Sequence, residues 1–392
     1  MASLATFQGY ISNGTSGVAG TQLNVTTMTT GTIQLGMAIT GGATAANTHI
    51  VAFITGTGTT GLYEVSRSQT IGQSGNPASF SGTTAGVITA ADYNYVQTKV
   101  AAVMGTPSTI NSTPYGYNQT LVSSPLSAGT TSITAAQWNN LRTDLVNAYT
   151  HQGSPGGLTL PPIQAKLAAS AGGSITSADF QKYLALGNTI YTTPLAIAAS
   201  GQSSFVTVNS GVRTTGWNST VTHQVILTWP SANAAKGFFN AGGYFTFSAS
   251  LTGYSVSDPG YAKDVDWNTL LTDLKTVTFT YNSTSCNGSY TTITTNTGFY
   301  GLSTSSTNII NKTTSSTSYA PNQYDIYATL DSTGAILTFS IQFKDLATVS
   351  GHSPLYGIDE NVTGTLTSTV KAFYASGSAV QSAYPTVTPS GP

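Results

Sequence analysis

The chain has 392 residues and a formal net charge of −1, and only 6% of its residues are charged, against about 25% in an average soluble protein. Its 12 lysines and arginines are too few to form the basic patch that a phosphate backbone requires, which excludes nucleic acid as a partner. Hydrophobic residues make up 39% of the chain and aromatic residues 10%, so the chain is not intrinsically disordered.

Targeting signals and cysteine chemistry are excluded next. No window approaches about 18 consecutive apolar residues, which predicts that no helix spans a membrane. The first residues carry neither positive charge nor a long apolar stretch, so no signal peptide is expected. Cys286 is the single cysteine, which excludes an intrachain disulfide and a cysteine-based zinc site. A surface rich in serine, threonine, glycine and tyrosine with few charges is common outside cells. Synthesis in a host cytoplasm followed by an extracellular working life is typical of virus particles, so the virion is the expected location.

Residues 1–80 predict a small β module rich in glycine and threonine. Short runs of valine, isoleucine and threonine alternate with glycines, a pattern that favours tight turns between short strands. The strands predicted from these runs are Gln22–Thr27, Thr32–Leu35, His49–Thr55 and Gly61–Ser66.

Residues 81–195 contain an internal repeat that predicts a helical unit with three helix starts. In each copy a threonine is the expected N-cap, and a polar residue three positions later completes a capping box; the pairs are Thr89 with Asp92, Thr134 with Gln137, and Thr176 with Asp179. An isoleucine before the cap and an aromatic residue after it form a hydrophobic staple; the pairs are Ile88 with Tyr93, Ile133 with Trp138, and Ile175 with Phe180. We expect the three aromatic residues to share one core.

Residues 196–385 predict an antiparallel β-sandwich, followed by an extended tail at 386–392. The predicted strands are His223–Trp229, Tyr244–Val256, Thr276–Tyr281, Tyr324–Leu330, Ala335–Lys344 and Val362–Ala375. Two helices are predicted between them, Ser231–Ala241 and Asp266–Leu274. The predicted fold class is therefore mainly β with a small α-helical unit: an N-terminal β module, a three-helix middle and a C-terminal antiparallel β-sandwich.

Three segments of the chain form recognisable modules. They are the glycine-rich run Gly36–Thr70, the helix segment Trp138–Leu145, and the C-terminal runs Phe238–Gly243, Asp266–Asn268 and Asp359–Leu366. In this order they resemble structural proteins of tailed bacteriophages, in particular those of phages that infect cyanobacteria, which implies a fibre, neck or baseplate appendage. The resemblance implies a non-enzymatic, oligomeric virion component and brings no catalytic residue to any position of this sequence.

The resemblance and the composition together predict the partners. The chain is expected to pair with itself as a homo-oligomer, with a trimer as the first expectation, and with other virion proteins. A host-surface glycan or protein is a further partner, whereas neither nucleic acid nor a membrane is expected. Two alternatives stay open: a carbohydrate-binding or polysaccharide-degrading appendage, and a capsid decoration protein.

Few side chains in the sequence suggest a metal-binding or catalytic role. Asp258, Asp264 and Asp266 form the densest acidic cluster and offer oxygen ligands for Ca²⁺; the alternative is a helix N-cap at Asp266 beside solvated neighbours. Asp359 and Glu360 are adjacent carboxylates. Glycoside hydrolysis needs two carboxylates across a sugar, which adjacency in sequence does not by itself provide, and the alternative is a turn before the strand at Val362. The sequence therefore predicts no catalytic residue and no cofactor.

Histidines and tyrosines complete the candidates. The histidines lie in separate segments without metal-ligand spacing; they are His49, His151, His223 and His352. Tyrosines crowd the last third of the chain, where they either supply contact area for proteins and sugars or fill the sandwich core; they include Tyr254, Tyr261, Tyr281, Tyr290, Tyr300, Tyr319, Tyr324, Tyr356 and Tyr374.

Overall fold

The protein divides into two compact units. A computed structural model describes residues 5–15, 17–83, 88–127, 130, 132–154, 177–197, 204–254, 262–316, 319–347 and 361–392. Strands take up 39% and helices 22% of it, which confirms a mainly β protein with some helix. Unit 1 comprises Met1–Ile110 and Gln119–Ala196, and unit 2 comprises Asn111–Asn118 and Ile197–Pro392.

The β part of unit 1 is a closed barrel of six strands in the order β1-β2-β5-β4-β3-β6. Pairing of β1 with β6 closes it, with Phe7 opposite Phe80 and their rings 5.4 Å apart inside. Closure leaves no unpaired strand edge in the barrel. The strands are β1 (Ala5–Ser12), β2 (Gly20–Thr30), β3 (Ala38–Thr40), β4 (Thr48–Phe53), β5 (Gly61–Gln69) and β6 (Ala78–Thr83).

One strand predicted for the N-terminal β module is wrong. Thr32–Leu35 is not a strand, although Ile33 is buried in the barrel core. The backbone N–H of Ile33 donates to the Gly58 carbonyl at 2.8 Å, so this connection fills the barrel interior without joining the sheet. A short apolar run indicates that its side chains are buried. Burial alone does not distinguish a strand from a packed loop.

Three helices of unit 1 follow the barrel: α1 (Ala90–Met104), α2 (Ala135–His151) and α3 (Ser177–Thr192). The first two begin with a reciprocal capping box. The backbone N–H of Thr89 donates to the Asp92 carboxylate at 2.7 Å, and that of Thr134 donates to the Gln137 side chain at 2.8 Å. Thr176 and Ile175 lie outside the described residues.

The aromatic residue of each helix start lies in one cluster. The Trp138 ring lies 5.5 Å from Tyr93 and 6.4 Å from Phe180, and all three are buried. Ile88 and Ile133, just before the first two helices, are half-buried. Because each copy of the repeat places its ring at the same position after the cap, one sequence pattern builds the shared core of three helices.

Unit 2 consists of two antiparallel sheets. One has the order β14-β15-β16-β17-β10-β19 and the other the order β13-β12-β11-β18-β9. Their apolar side chains, together with those of two helices, form one hydrophobic core. The elements are β9 (Ser204–Arg213), β10 (Thr220–Thr228), α4 (Ala232–Asn240), β11 (Tyr244–Thr252), α5 (Ala262–Leu274), β12 (Val277–Phe279), β13 (Thr284–Cys286), β14 (Thr292–Ile293), β15 (Thr307–Thr313), β16 (Gln323–Leu330), β17 (Ile336–Lys344), β18 (Thr365–Tyr374) and β19 (Thr386–Ser390).

Two sequence-based expectations for unit 2 need correction. α5 begins at Ala262 rather than at Asp266, so Asp266 is inside the helix and is not its N-cap. The stretch predicted as an extended tail contains β19, which pairs with β10 and places Thr388 opposite Ile226. Its threonine and valine residues suit a strand, but a five-residue run gives too little alternation to be read as one.

A short segment from between α1 and α2 belongs to unit 2. It carries β8 (Thr113–Tyr115), and β7 (Ser108–Ile110) precedes it in unit 1. The buried Asn240 amide donates to the carbonyls of Tyr115 at 2.9 Å and Gly116 at 3.0 Å. The Tyr300 hydroxyl donates to the Asn240 oxygen at 2.9 Å. One amide side chain therefore satisfies three polar groups that link distant segments of unit 2.

Replacing Asn240 by alanine is expected to lower the free energy of unfolding of unit 2 by about 2 kcal/mol, because buried carbonyls lose their donor. Urea unfolding followed by tryptophan fluorescence measures the change. Asn296→Ala, at an exposed asparagine of the same unit, is the matched control and should change stability little. Equal stability of the two variants would contradict the assigned role of Asn240.

Candidate functional site

The acidic cluster of the sequence is used to join segments of unit 2. The buried Asp264 carboxylate accepts hydrogen bonds from the Thr363 backbone N–H at 2.6 Å and from the Thr363 hydroxyl at 2.5 Å. Asp266 accepts from the Thr314 hydroxyl; burial raises the pKa of Asp266, and this hydrogen bond opposes the rise. Asp258 lies outside the described residues. In the part of the chain that the structure describes, no three His, Cys, Asp or Glu side chains are placed to hold a metal ion.

The capping residue Asp92 has a second contact that the sequence did not indicate. Its carboxylate lies 2.9 Å from Nδ1 of His49, and the two residues are 0% and 2% exposed. His49 is on β4 and Asp92 is on α1, 43 positions apart, so no local pattern predicts the pair. Asp179 and Phe180, the corresponding residues of α3, are also buried. These residues hold unit 1 together and do not form a site open to a ligand.

Other candidates are occupied by the fold or lie outside its described part. The Cys286 thiol donates to the Leu274 carbonyl at 3.0 Å, and burial raises the pKa of the thiol, which disfavours the nucleophilic thiolate. His151 and His223 are buried. His352, Asp359 and Glu360 lie outside the described residues. Among the tyrosines singled out above, Tyr319 and Tyr324 are buried, whereas Tyr290 is 44% exposed.

The outer face of the six-stranded sheet is the strongest candidate for a binding surface. Alternate residues of its strands point into the core of unit 2, as Ile326, Phe339 and Val225 do, so the residues between them share the opposite face. Strand register aligns these residues in rows across the sheet. We call the end of this surface nearest Lys344 the polar face, formed by Thr222, Gln224, Asn308, Asn311, Gln323, Asp325, Tyr327, Ser340, Gln342 and Lys344. Ile226 and Ile336 lie on the same side of the sheet beyond it.

The charges of the polar face neutralise each other. Lys344 Nζ lies 2.7 Å from the Asp325 carboxylate, whose other oxygen accepts hydrogen bonds from the Asn308 and Asn311 amides, both at 2.8 Å. Asp325 is 1% exposed and the Lys344 side chain is 16% exposed. Although the carboxylate is on the outer side of the sheet, its long neighbours cover it. The centre of the face is therefore polar but carries no net charge.

Tyr327 is the aromatic residue of the polar face, and Lys344 holds it in place. Lys344 Nζ donates to the Tyr327 hydroxyl at 3.2 Å and lies 5.1 Å from the ring centroid. Burial lowers the pKa of Lys344, but hydrogen bonds to Asp325 and Tyr327 outweigh it and raise the pKa above the usual value. Lys344 therefore stays charged, and the ring is fixed before any ligand arrives.

Beside the ring lies a row of uncharged donors and acceptors. Gln224 on β10 is opposite Ser340 on β17, and Ser340 is opposite Tyr327 on β16. The next row places Thr222 opposite Gln342, and the Gln342 amide donates to the Ser340 hydroxyl at 3.4 Å. These side chains are half-buried. Adjacent strands are about 4.8 Å apart, so the face presents a regular grid of amides and hydroxyls suited to binding.

Similarity to known proteins adds no constraint on this site. Comparison of the chain with protein-family models, curated proteins and solved structures finds no match. Among the described helices, none is long and apolar enough to cross a membrane. Function is therefore inferred from the sequence pattern and from the chemistry of the polar face.

Proposed function

We propose that the protein is a non-enzymatic structural component of a tailed-phage virion, an oligomeric fibre, neck or baseplate appendage. In this proposal unit 2 is a β-sandwich that makes the outward or lateral contacts. The barrel and the three-helix group of unit 1 attach the chain to the particle or to sister subunits. The resemblance of the sequence to phage structural proteins supports the class of protein.

The observation that carries the proposal is the use of the few charged groups. Lys263 with Asp345 and Lys344 with Asp325 are ion pairs inside unit 2, and in unit 1 the buried Asp92 carboxylate contacts the His49 ring at 2.9 Å. Because these charged groups make contacts inside the protein, the outward-facing polar groups are mainly hydroxyls and amides. Such a surface gives little electrostatic repulsion between copies, which suits a protein covered by neighbours in an assembly.

Two features favour contacts through sheet faces instead of strand edges. The barrel is closed, and the edge strand β19 contains Pro389, which lacks the N–H needed to add a further strand. The barrel therefore offers no edge for pairing, and the β19 edge is protected against it at Pro389. Face-to-face contacts, multiplied in an oligomer, can then bind strongly through avidity even where each single contact is weak.

The recombinant chain is expected to form a homo-oligomer at micromolar concentration, with a trimer as the first expectation. Size-exclusion chromatography with light scattering measures this state. Cryo-electron microscopy of purified phage particles would then place the chain on the fibre, neck or baseplate. Density on the capsid shell would favour a decoration protein, and absence of the chain from purified particles would overturn the proposal.

A further inference from the structure

We propose that the polar face binds a neutral glycan. The inference rests on the proposed function only for the origin of the glycan, which for a virion appendage is the host surface. The binding itself is a property of the face. Three features of the described side chains support this ligand: compensated charge, paired donors and acceptors, and a fixed aromatic ring.

Because Asp325 and Lys344 of the polar face neutralise each other, the face disfavours charged ligands. Asp325 already accepts hydrogen bonds from two asparagine amides and pairs with Lys344. An acidic ligand would have to compete with the Asp325 carboxylate for Lys344, and a basic ligand would have to compete with Lys344 for Asp325. A neutral ligand disturbs neither group, so it avoids the penalty of leaving a covered charge unpaired.

The donors and acceptors of the face match sugar hydroxyls. Each sugar hydroxyl donates one hydrogen bond and accepts others, and its neighbour on the ring does the same. Gln224 and Gln342 carry both a donor and an acceptor, as does the Ser340 hydroxyl. Because Gln224, Ser340 and Tyr327 lie side by side on three neighbouring strands, an extended sugar chain can contact them in succession.

The ring of Tyr327 supplies the apolar contact. Lys344 Nζ lies over the ring at 5.1 Å from its centroid, and the side chain is half-buried, so part of it stays in contact with solvent and can meet the C–H groups of a sugar. Tyrosine gives such a contact at a small loss of side-chain entropy. A protein partner would call for a larger apolar centre with several aromatic or arginine anchors, whereas the described side chains of this face include one aromatic ring.

An array of neutral oligosaccharides built from glucose, galactose, mannose and N-acetylglucosamine, probed with the full recombinant chain, tests the proposal. Sulfated and uronic-acid oligosaccharides on the same array are the charged comparison. We expect binding to neutral members, little changed by added salt because no net charge is matched. Titration calorimetry with a soluble oligosaccharide from the array then gives the affinity of each variant.

Tyr327→Ala is expected to weaken binding about tenfold, the loss typical of truncating a central contact tyrosine, whereas Tyr327→Phe should keep most of it. Tyr290→Ala, at an exposed tyrosine outside the polar face, is the matched control and should bind like the unchanged protein. Loss of binding in Tyr327→Ala alone, with the variant folded by circular dichroism, supports the proposal.

Three results would overturn the glycan assignment. They are no binding to any neutral oligosaccharide, binding confined to the charged ones, and equal affinities for Tyr327→Ala and Tyr290→Ala. If Tyr327→Ala instead dissolves the homo-oligomer, the polar face is a contact between copies of the chain. None of these results removes the protein from the virion, so the proposed function is judged separately by the particle map.

Discussion

Replacing Lys263 by methionine is expected to lower the free energy of unfolding of unit 2 by about 3–5 kcal/mol, the effect of removing one partner of a buried ion pair. Lys263 Nζ lies 3.0 Å from the Asp345 carboxylate, and both side chains are 1% exposed. It also donates to the Ala347 carbonyl at 3.3 Å. Methionine fills a similar volume but leaves the carboxylate charge buried without its cation. Urea unfolding followed by tryptophan fluorescence, to which the buried Trp217, Trp229 and Trp267 of unit 2 contribute, measures the change.

Two further variants separate the lost charge from the lost volume. The double variant Lys263→Met with Asp345→Leu should recover most of the stability, because exchanging both members of a buried pair for apolar residues is often neutral. Lys236→Met, on α4 and without an ion pair among the described residues, is the matched control. If Lys263→Met proves as stable as Lys236→Met, the buried pair does not hold α5 to the end of β17.

Unit 2 is expected to lose about 3 kcal/mol of stability as the pH falls from about 6.5 to about 4 because of His223. His223 is 0% exposed, its Nδ1 lies 2.8 Å from the Ser368 hydroxyl, and burial lowers its pKa from 6.5 to about 4. Below pH 6.5 the unfolded chain binds a proton that the folded chain does not accept. Acid therefore favours unfolding, and the loss is complete below the folded pKa.

The free energy of unfolding measured at several pH values between 8 and 4 tests this dependence. His223→Gln can keep a hydrogen bond to Ser368 without titrating, so its stability should fall less steeply over the same interval. The carboxylates titrate in both proteins and cancel in the comparison. Parallel pH profiles for the unchanged protein and His223→Gln would show that the acid sensitivity arises elsewhere.

Local patterns of the sequence predicted the local structure well. The helix starts at Thr89 and Thr134 depend on residues within three positions of each other, so their capping could be read directly. The strands predicted at Tyr324–Leu330 and Ala335–Lys344 are β16 and β17, and the Asp331 carboxylate closes the turn between them by accepting the Ala335 and Ile336 N–H groups. In each case the contact partners are near in sequence.

Contacts set by strand register could not be predicted in the same way. The alternation in Tyr324–Leu330 implied that Asp325 and Tyr327 share one face, but not which strands flank them. β15, with the sequence TNIINKT, shows little alternation and was missed, although it supplies Asn308 and Asn311. The pairing of Asp325 with Lys344 crosses from β16 to β17, and the contact of His49 with Asp92 joins a strand to a helix. Neither contact could be predicted without knowing how these elements are arranged in the fold.

The segment Asn111–Asn118 limits how this gene can recombine. A single crossover near residue 196 would replace Ile197–Pro392 by the corresponding part of a related gene. Asn111–Asn118, which belongs to the same unit, would still come from the original gene. The carbonyls of Tyr115 and Gly116 would then face a residue 240 from another lineage, 124 positions downstream of Gly116. Viable hybrids should therefore inherit this short stretch and the C-terminal half together, and the two should co-vary among relatives of this chain.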